Sequence, residues 1–185
     1  MKSLKTIQTL AGIGKILSRI AFIFSVIGFC GCIAGLLSLG LGSGGELLRI
    51  GGITLHGVIS GKYGVSDGGV IAALVGWLFI CAGEAVLAKF AEICFKNEQK
   101  AGTPFTLAGA KELLRLGILT TVLPTGCAVL ASIAEGIAAG FLDVSKAAAM
   151  DMHFDSEASV VLGVMFILGS LLCRYGAELS RGGEN

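Results

Sequence analysis

Few side chains in this sequence have the chemistry of an active site or a metal centre. The chain has two histidines, His56 and His153, and the second stands among acidic residues at Asp151, Asp155 and Glu157. Imidazole and carboxylate groups together can bind a divalent metal. All five residues fall between the apolar segments of the chain, where charged side chains are ordinarily solvated. We therefore predict solvated loop residues here, with no metal, no cofactor and no catalytic residue, and the protein is not expected to be an enzyme.

One carboxylate has a more unusual setting. Glu84 is the only charged residue in 68–88, a segment that is otherwise apolar. An ionised side chain inside a membrane is costly and needs a partner or a cavity. Arg174 has a similar depth in the last apolar segment, so a Glu84–Arg174 ion pair that clamps the helices is the preferred interpretation. Two alternatives stay open: a protonatable or ion-binding site in a transport path, and a protonated Glu84 that hydrogen-bonds to a neighbouring helix.

The composition of the chain predicts the secondary-structure elements that carry these side chains. Apolar residues make up 54% of the 185 residues and charged residues 15%, against about 25% charged in a typical soluble domain. Four segments carry at most one charge each: 20–45, 68–88, 116–142 and 158–173. With its flanks, each is long enough to cross an apolar core of about 30 Å. We predict an all-α, four-helix transmembrane bundle forming a single integral membrane domain over 1–185, rather than a soluble bundle of very apolar helices. The six cysteines lie in or beside these segments, and we expect free thiols.

The distribution of Lys and Arg predicts the orientation. Of the 14 basic residues, three fall in the two connections predicted to lie outside: Arg49, Lys62 and Lys146. The other eleven fall at the opposite ends of the four segments: Lys2, Lys5, Lys15, Arg19, Lys89, Lys96, Lys100, Lys111, Arg115, Arg174 and Arg181. Because Lys and Arg accumulate on the cytoplasmic side, both termini and the central polar connection should be cytoplasmic. The net charge of +1 gives no reason to expect direct nucleic-acid binding.

The chain also shows signs of an internal duplication. The tetrapeptide "TLAG" begins at Thr9 and again at Thr106. We predict one helical-hairpin repeat at about 4–94, a cytoplasmic hinge at about 95–105 and a second repeat at about 106–180, related in parallel. Each repeat would begin with a short amphipathic interfacial helix, the second one capped by Thr106 and starting at Leu107. The alternative is that these segments are only polar flanks of the spans.

Small residues at helical spacing predict close helix packing. Gly31 and Gly35 form one G-x-x-x-G, and Gly136 and Gly140 form another. In lipid this spacing lets two helix backbones approach closely. Packing inside one bundle is the preferred interpretation, and a homo-oligomer is the alternative. Pro124 removes one helical hydrogen bond and should kink the third span.

Two short motifs resemble those of a bacterial membrane-protein family, domain of unknown function 2975. They are "GTPFT" at 102–106 and the spaced residues Arg174, Gly176, Glu178 and Leu179. The resemblance implies a four-span protein of the bacterial cytoplasmic membrane, without an assigned activity. It also implies a cytoplasmic helix-turn-helix regulator as partner, since such regulators are often encoded beside this family.

The function expected from these features is that of a non-catalytic membrane regulator or sensor coupled to a cytoplasmic partner. The lipid bilayer surrounds the chain, so the partner would bind the cytoplasmic polar surface. We predict that this surface contains Pro104, Phe105, Thr106, Lys111 and Arg115. The alternative function is a small oligomeric transporter or channel for an ion or solute that uses Glu84.

Overall fold

The computed structural model describes residues 2–40, 49–50, 53–54, 67–101, 106–142 and 156–182. The elements are α1 (Lys2–Gly40), β1 (Arg49–Ile50), β2 (Ile53–Thr54), α2 (Asp67–Ala101), α3 (Leu107–Phe141) and α4 (Ser156–Gly182). The two short strands pair antiparallel, with Arg49 opposite Thr54 and Ile50 opposite Ile53. The sequence between them, Gly51-Gly52, is a pair favoured in two-residue hairpin loops. This hairpin was not among the predicted elements.

The all-α, four-helix bundle prediction is confirmed. All four helices are long and apolar enough to cross a membrane, which is the pattern of a multi-pass membrane protein. The candidate spans are Gln8–Leu39, Gly68–Ala101, Leu107–Phe141 and Ala158–Leu179. α1 has 39 residues, or about 58 Å at 1.5 Å per residue. Because the hydrocarbon core is only about 30 Å thick, the helices are long enough to extend beyond it.

The outer surface of the helices supports a lipid environment. Large apolar side chains are exposed on every helix, including Phe24 (68%), Val122 (62%) and Leu172 (70%). In water such a continuous apolar exterior would be very unfavourable, whereas lipid tails solvate it.

The described residues belong to two compact units. Unit 1 takes its residues from 1–23, 84–125 and 155–185, and unit 2 from 24–83 and 126–154. Each unit therefore contains residues from both predicted repeats. The duplication itself stays a prediction.

Unit 2 has a small apolar core. Cys32 from α1 packs with Val70 and Leu74 from α2, and Leu36, Leu39 and Leu78 surround them. A close contact within the unit brings α2 against α3, because a Cβ placed on Gly83 would collide with the side chain of Cys127. Glycine at position 83 therefore permits this helix contact.

Unit 1 contains a close helix approach, where α3 crosses α4. A Cβ placed on Gly117 would lie 2.8 Å from the carbonyl oxygen of Gly163, and one placed on Gly163 would collide with Thr121 Oγ1. The Thr121 hydroxyl donates to the Gly117 carbonyl oxygen at 3.0 Å. A hydroxyl bonded to its own helix backbone can lie in this contact without an unsatisfied polar group.

The predicted packing glycines are not at these crossings. Gly31, Gly136 and Gly140 have no described atom within 4 Å of an added Cβ, and Gly35 is buried. The prediction that both G-x-x-x-G pairs pack helices inside one chain is thus wrong for three of the four residues. The G-x-x-x-G spacing identifies a helix face without large side chains. It does not determine how the helix is rotated about its axis, and therefore which neighbour that face meets.

The start of α3 agrees with the sequence. Thr106 Oγ1 accepts a hydrogen bond from the Gly109 N–H at 2.9 Å, which confirms the predicted N-cap and the start at Leu107. In the part of the chain that the structure describes, no separate interfacial helix precedes the first or the third span, since α1 runs unbroken from Lys2 and α3 from Leu107. The structure therefore favours the alternative in which these segments are polar flanks. α2 continues to Ala101, so most of the predicted hinge is helical and only 102–105 lies outside the described residues.

Candidate functional site

Unit 1 contains a group of charged side chains around Glu92 of α2. Its side chain is 10% exposed and accepts a hydrogen bond from Lys89 Nζ at 2.8 Å. Arg19 Nε from α1 lies 3.6 Å from the same carboxylate. Lys89 Nζ also lies 5.3 Å from the ring centroid of Phe22, a cation–π contact. Glu92 thus bonds to α1 through Arg19, and Lys89 contacts both Glu92 and Phe22 of α1.

A second polar group lies further along α2, and we call it the polar layer: Cys94, Asn97, Glu98, Glu112 and Cys173. Asn97 Nδ2 donates to Glu112 Oε1 on α3 at 2.9 Å. Glu98 lies close enough to Glu112 for the two carboxylates to repel one another. Cys94 is buried and lies near both carboxylates. Cys173 brings α4 to the same level, near Glu98.

The chemistry open to the polar layer is limited. It contains carboxylates, an amide and thiols, but no histidine to act as a base near neutral pH. Among the residues that the structure describes, no group of three His, Cys, Asp or Glu side chains could hold a metal ion. Two carboxylates close enough to repel one another make the layer responsive to a proton, a cation or a movement of either helix.

The loop residues considered for a metal are not tested by the structure. His56, Asp151, His153 and Asp155 lie outside the described residues, and so does the side chain of Glu157. The six cysteines are free thiols, as predicted. Cys32 and Cys81, on α1 and α2 of unit 2, lie within hydrogen-bonding reach of one another.

The predicted Glu84–Arg174 pair is wrong. Arg174 Nε instead donates to Glu178 Oε1 at 3.0 Å, one turn further along α4. Cys173, the residue before Arg174, lies near Glu98, and Glu98 is 14 residues beyond Glu84 on the same helix. At 1.5 Å per residue this places Glu84 about 21 Å from that level. Glu84 itself is exposed, at the midpoint of α2.

The residues predicted for the partner surface divide into two groups. Lys111 and Arg115 are exposed on α3, one turn apart, and Thr106 is the half-buried N-cap. Pro104 and Phe105 lie outside the described residues. The structure therefore leaves Lys111 and Arg115 accessible, next in sequence to Glu112 and Leu116.

Sequence reasoning missed Glu92, Glu98 and Glu112. A signal existed for Glu92, since Lys89 precedes it by three residues and that spacing favours a helical ion pair. No comparable local signal joins Glu98 to Glu112, because their approach depends on how α2 and α3 pack.

Comparison of the chain with protein-family models, with curated proteins and with solved structures gives no match. The resemblance carried by "GTPFT" and by the residues around Arg174 accordingly stays a prediction.

Proposed function

We propose that the protein is a non-catalytic regulator or sensor that crosses the bacterial cytoplasmic membrane four times and binds a cytoplasmic protein. The observation that carries this proposal is the first part of α3. Lys111 and Arg115 are exposed, whereas Glu112 bonds to Asn97 of α2 and Leu116 is 2% exposed. One face of the helix is open to a partner, and the adjacent face belongs to the interior of unit 1.

This arrangement would couple partner binding to the other helices. A partner that engages Lys111 and Arg115 exerts its force on the turn of α3 that contains Glu112. A small shift of Glu112 changes its repulsion with Glu98 and its bond to Asn97. Because these contacts are polar, repacking them does not open an apolar cavity of the kind that makes core changes costly. The polar layer is therefore the element whose equilibrium a partner would bias.

The proposed orientation is supported by the basic residues. Lys89, Lys96, Lys100, Lys111 and Arg115 all belong to unit 1. The N-terminal and C-terminal parts of the chain belong to the same unit. By the positive-inside rule the basic residues of unit 1 should lie on the cytoplasmic side of the membrane. The family resemblance supports a helix-turn-helix protein as partner, with any DNA bound by that protein rather than by this chain.

In-cell photo-crosslinking tests the proposal. A photoreactive residue in place of Lys111 should crosslink a soluble protein, and one in place of Val122, on the apolar surface of the same helix, should not. The charge-reversal variant K111E/R115E should lower recovery of the same protein at least tenfold. The matched control is Arg174→Gln, which removes an exposed cation of α4 and should leave recovery unchanged. Equal recovery with K111E/R115E and the parent chain, or crosslinks to lipid alone from position 111, would refute the proposal.

The exposed position of Glu84 favours one alternative, an oligomeric transporter or channel. A carboxylate on the outer surface at the middle of α2 could only line a path formed between chains. Liposomes containing the purified protein would then show ion or proton flux that Glu84→Gln abolishes. The regulator proposal expects no flux above empty liposomes from either chain.

A further inference from the structure

The ion group around Glu92 has more positive charge than its carboxylate neutralises. Lys89 Nζ and Arg19 Nε contact Glu92, and Lys96 is close enough to act on it electrostatically. Three cations and one carboxylate leave a net charge of +2. α1 adds no acid, because the sequence has neither Asp nor Glu before Glu46. We call Arg19, Lys89 and Lys96 the basic cluster.

The basic cluster lies where the apolar part of each helix ends. Arg19 immediately precedes the uncharged segment 20–45, and Lys89 immediately follows 68–88, in which Glu84 is the only charge. Charged residues at the boundary of an apolar span lie at the level of the lipid headgroups. The cluster is therefore at the depth of lipid phosphates.

The cations are directed outward while the carboxylate is held inside. The side chains of Arg19 and Lys89 are 69% and 51% exposed, against 10% for Glu92. Arg19 meets Glu92 through Nε, and its guanidinium has further N–H donors on its two terminal nitrogens. Glu92 thus fixes the base of the cluster, and an external anion can bind the cations from the opposite side.

Apolar side chains adjoin the cluster on the membrane side. Ile20 and Ile23 follow Arg19 on α1, and Val86 precedes Lys89 by one helical turn on α2; all three are exposed. A ligand that fits this surface has an anionic headgroup and apolar chains. A free phosphate ion would bind the cations but would not contact the apolar side chains beside them.

We infer that Arg19, Lys89 and Lys96 form a binding site for the phosphate headgroup of an anionic phospholipid, with Glu92 as the buried carboxylate that positions them. The acyl chains lie along Ile20, Ile23 and Val86. The inference depends on insertion of the chain in a membrane and is independent of any protein partner at Lys111 and Arg115.

Native mass spectrometry of the full-length protein in detergent tests this site. Titration with phosphatidylglycerol should show a first bound lipid at a concentration at least tenfold lower than phosphatidylcholine requires. Each cation near an anionic lipid contributes about fivefold in affinity, so R19Q/K89Q should weaken phosphatidylglycerol binding about thirtyfold. The matched control K111Q/R115Q removes two cations elsewhere in unit 1 and should change binding less than twofold.

A second variant separates lipid binding from folding. R19Q/K89Q leaves Glu92 without its two cations, whereas R19Q/K89Q/E92Q also removes the buried charge and should lose phosphatidylglycerol binding to the same extent. Millimolar inorganic phosphate should not displace the lipid. Equal binding of both lipids, equal losses in R19Q/K89Q and K111Q/R115Q, retained binding in the triple variant, or displacement by inorganic phosphate would each overturn the inference.

Discussion

Replacement of Gly163 by alanine should weaken the crossing of α3 and α4. The added Cβ would collide with Thr121 Oγ1 and would lie 2.7 Å from the carbonyl oxygen of Gly117. The second neighbour is backbone, so it cannot rotate away as a side chain can. Ordinary contact begins near 3.4 Å, and the two helices must therefore separate by several tenths of an ångström. Overpacking of this kind typically costs about 1–3 kcal/mol.

Gly136→Ala is the matched control for this prediction. Gly136 lies on the other half of the same crossing helix, α3, and no described atom is within 4 Å of its added Cβ. Alanine is also the better helix former, by about 1 kcal/mol in water, and this effect is common to both substitutions. The difference between the two variants should then be about 1–3 kcal/mol, with Gly163→Ala the less stable. Reversible unfolding in mixed detergent and sodium dodecyl sulfate measures it, and equal stabilities would refute the assigned crossing.

Three further predictions concern stability in the same assay. Thr106→Ala removes the cap of α3 and should cost about 1 kcal/mol, while Thr106→Ser should not; equal losses would contradict the capping role. Glu112→Gln keeps an acceptor for Asn97 and removes one of two neighbouring negative charges, so it should raise stability at neutral pH; a loss as large as that of Asn97→Ala would contradict the carboxylate repulsion. Lys89→Gln should destabilise more than Arg19→Gln, since its nitrogen lies 2.8 Å rather than 3.6 Å from the Glu92 carboxylate; the opposite order would show that distance does not decide between the two cations.

The elements of this fold are predictable because their signals are local. Uncharged segments such as 20–45 predict the spans from the composition of each segment alone. The N-cap at Thr106 is equally local, since its hydroxyl bonds to an N–H three residues away. The sequence between β1 and β2 also has a local hairpin signal in Gly51-Gly52.

The contacts between helices are not predictable in the same way. The apolar segment of each helix, taken by itself, predicts that Glu84 and Arg174 lie at one level. α2 in fact continues through charged residues to Ala101, and Cys173 of α4 lies near Glu98, 14 residues past Glu84. The axial offset and the rotation of two packed helices depend on both surfaces together. The same limit applies to Gly136, whose open face resembles a packing face in sequence.

Labelling of introduced cysteines in cells tests most directly the claim that the polar end of the helices is cytoplasmic and that the chain crosses a membrane. Lys111→Cys should react with a membrane-impermeant maleimide only after the cells are permeabilised, and Lys62→Cys, in a connection predicted to lie outside, should react in intact cells. The parent chain, with its six native cysteines, gives the background. Labelling of Lys111→Cys in intact cells, with protection of Lys62→Cys, would contradict the orientation and the partner surface proposed from it.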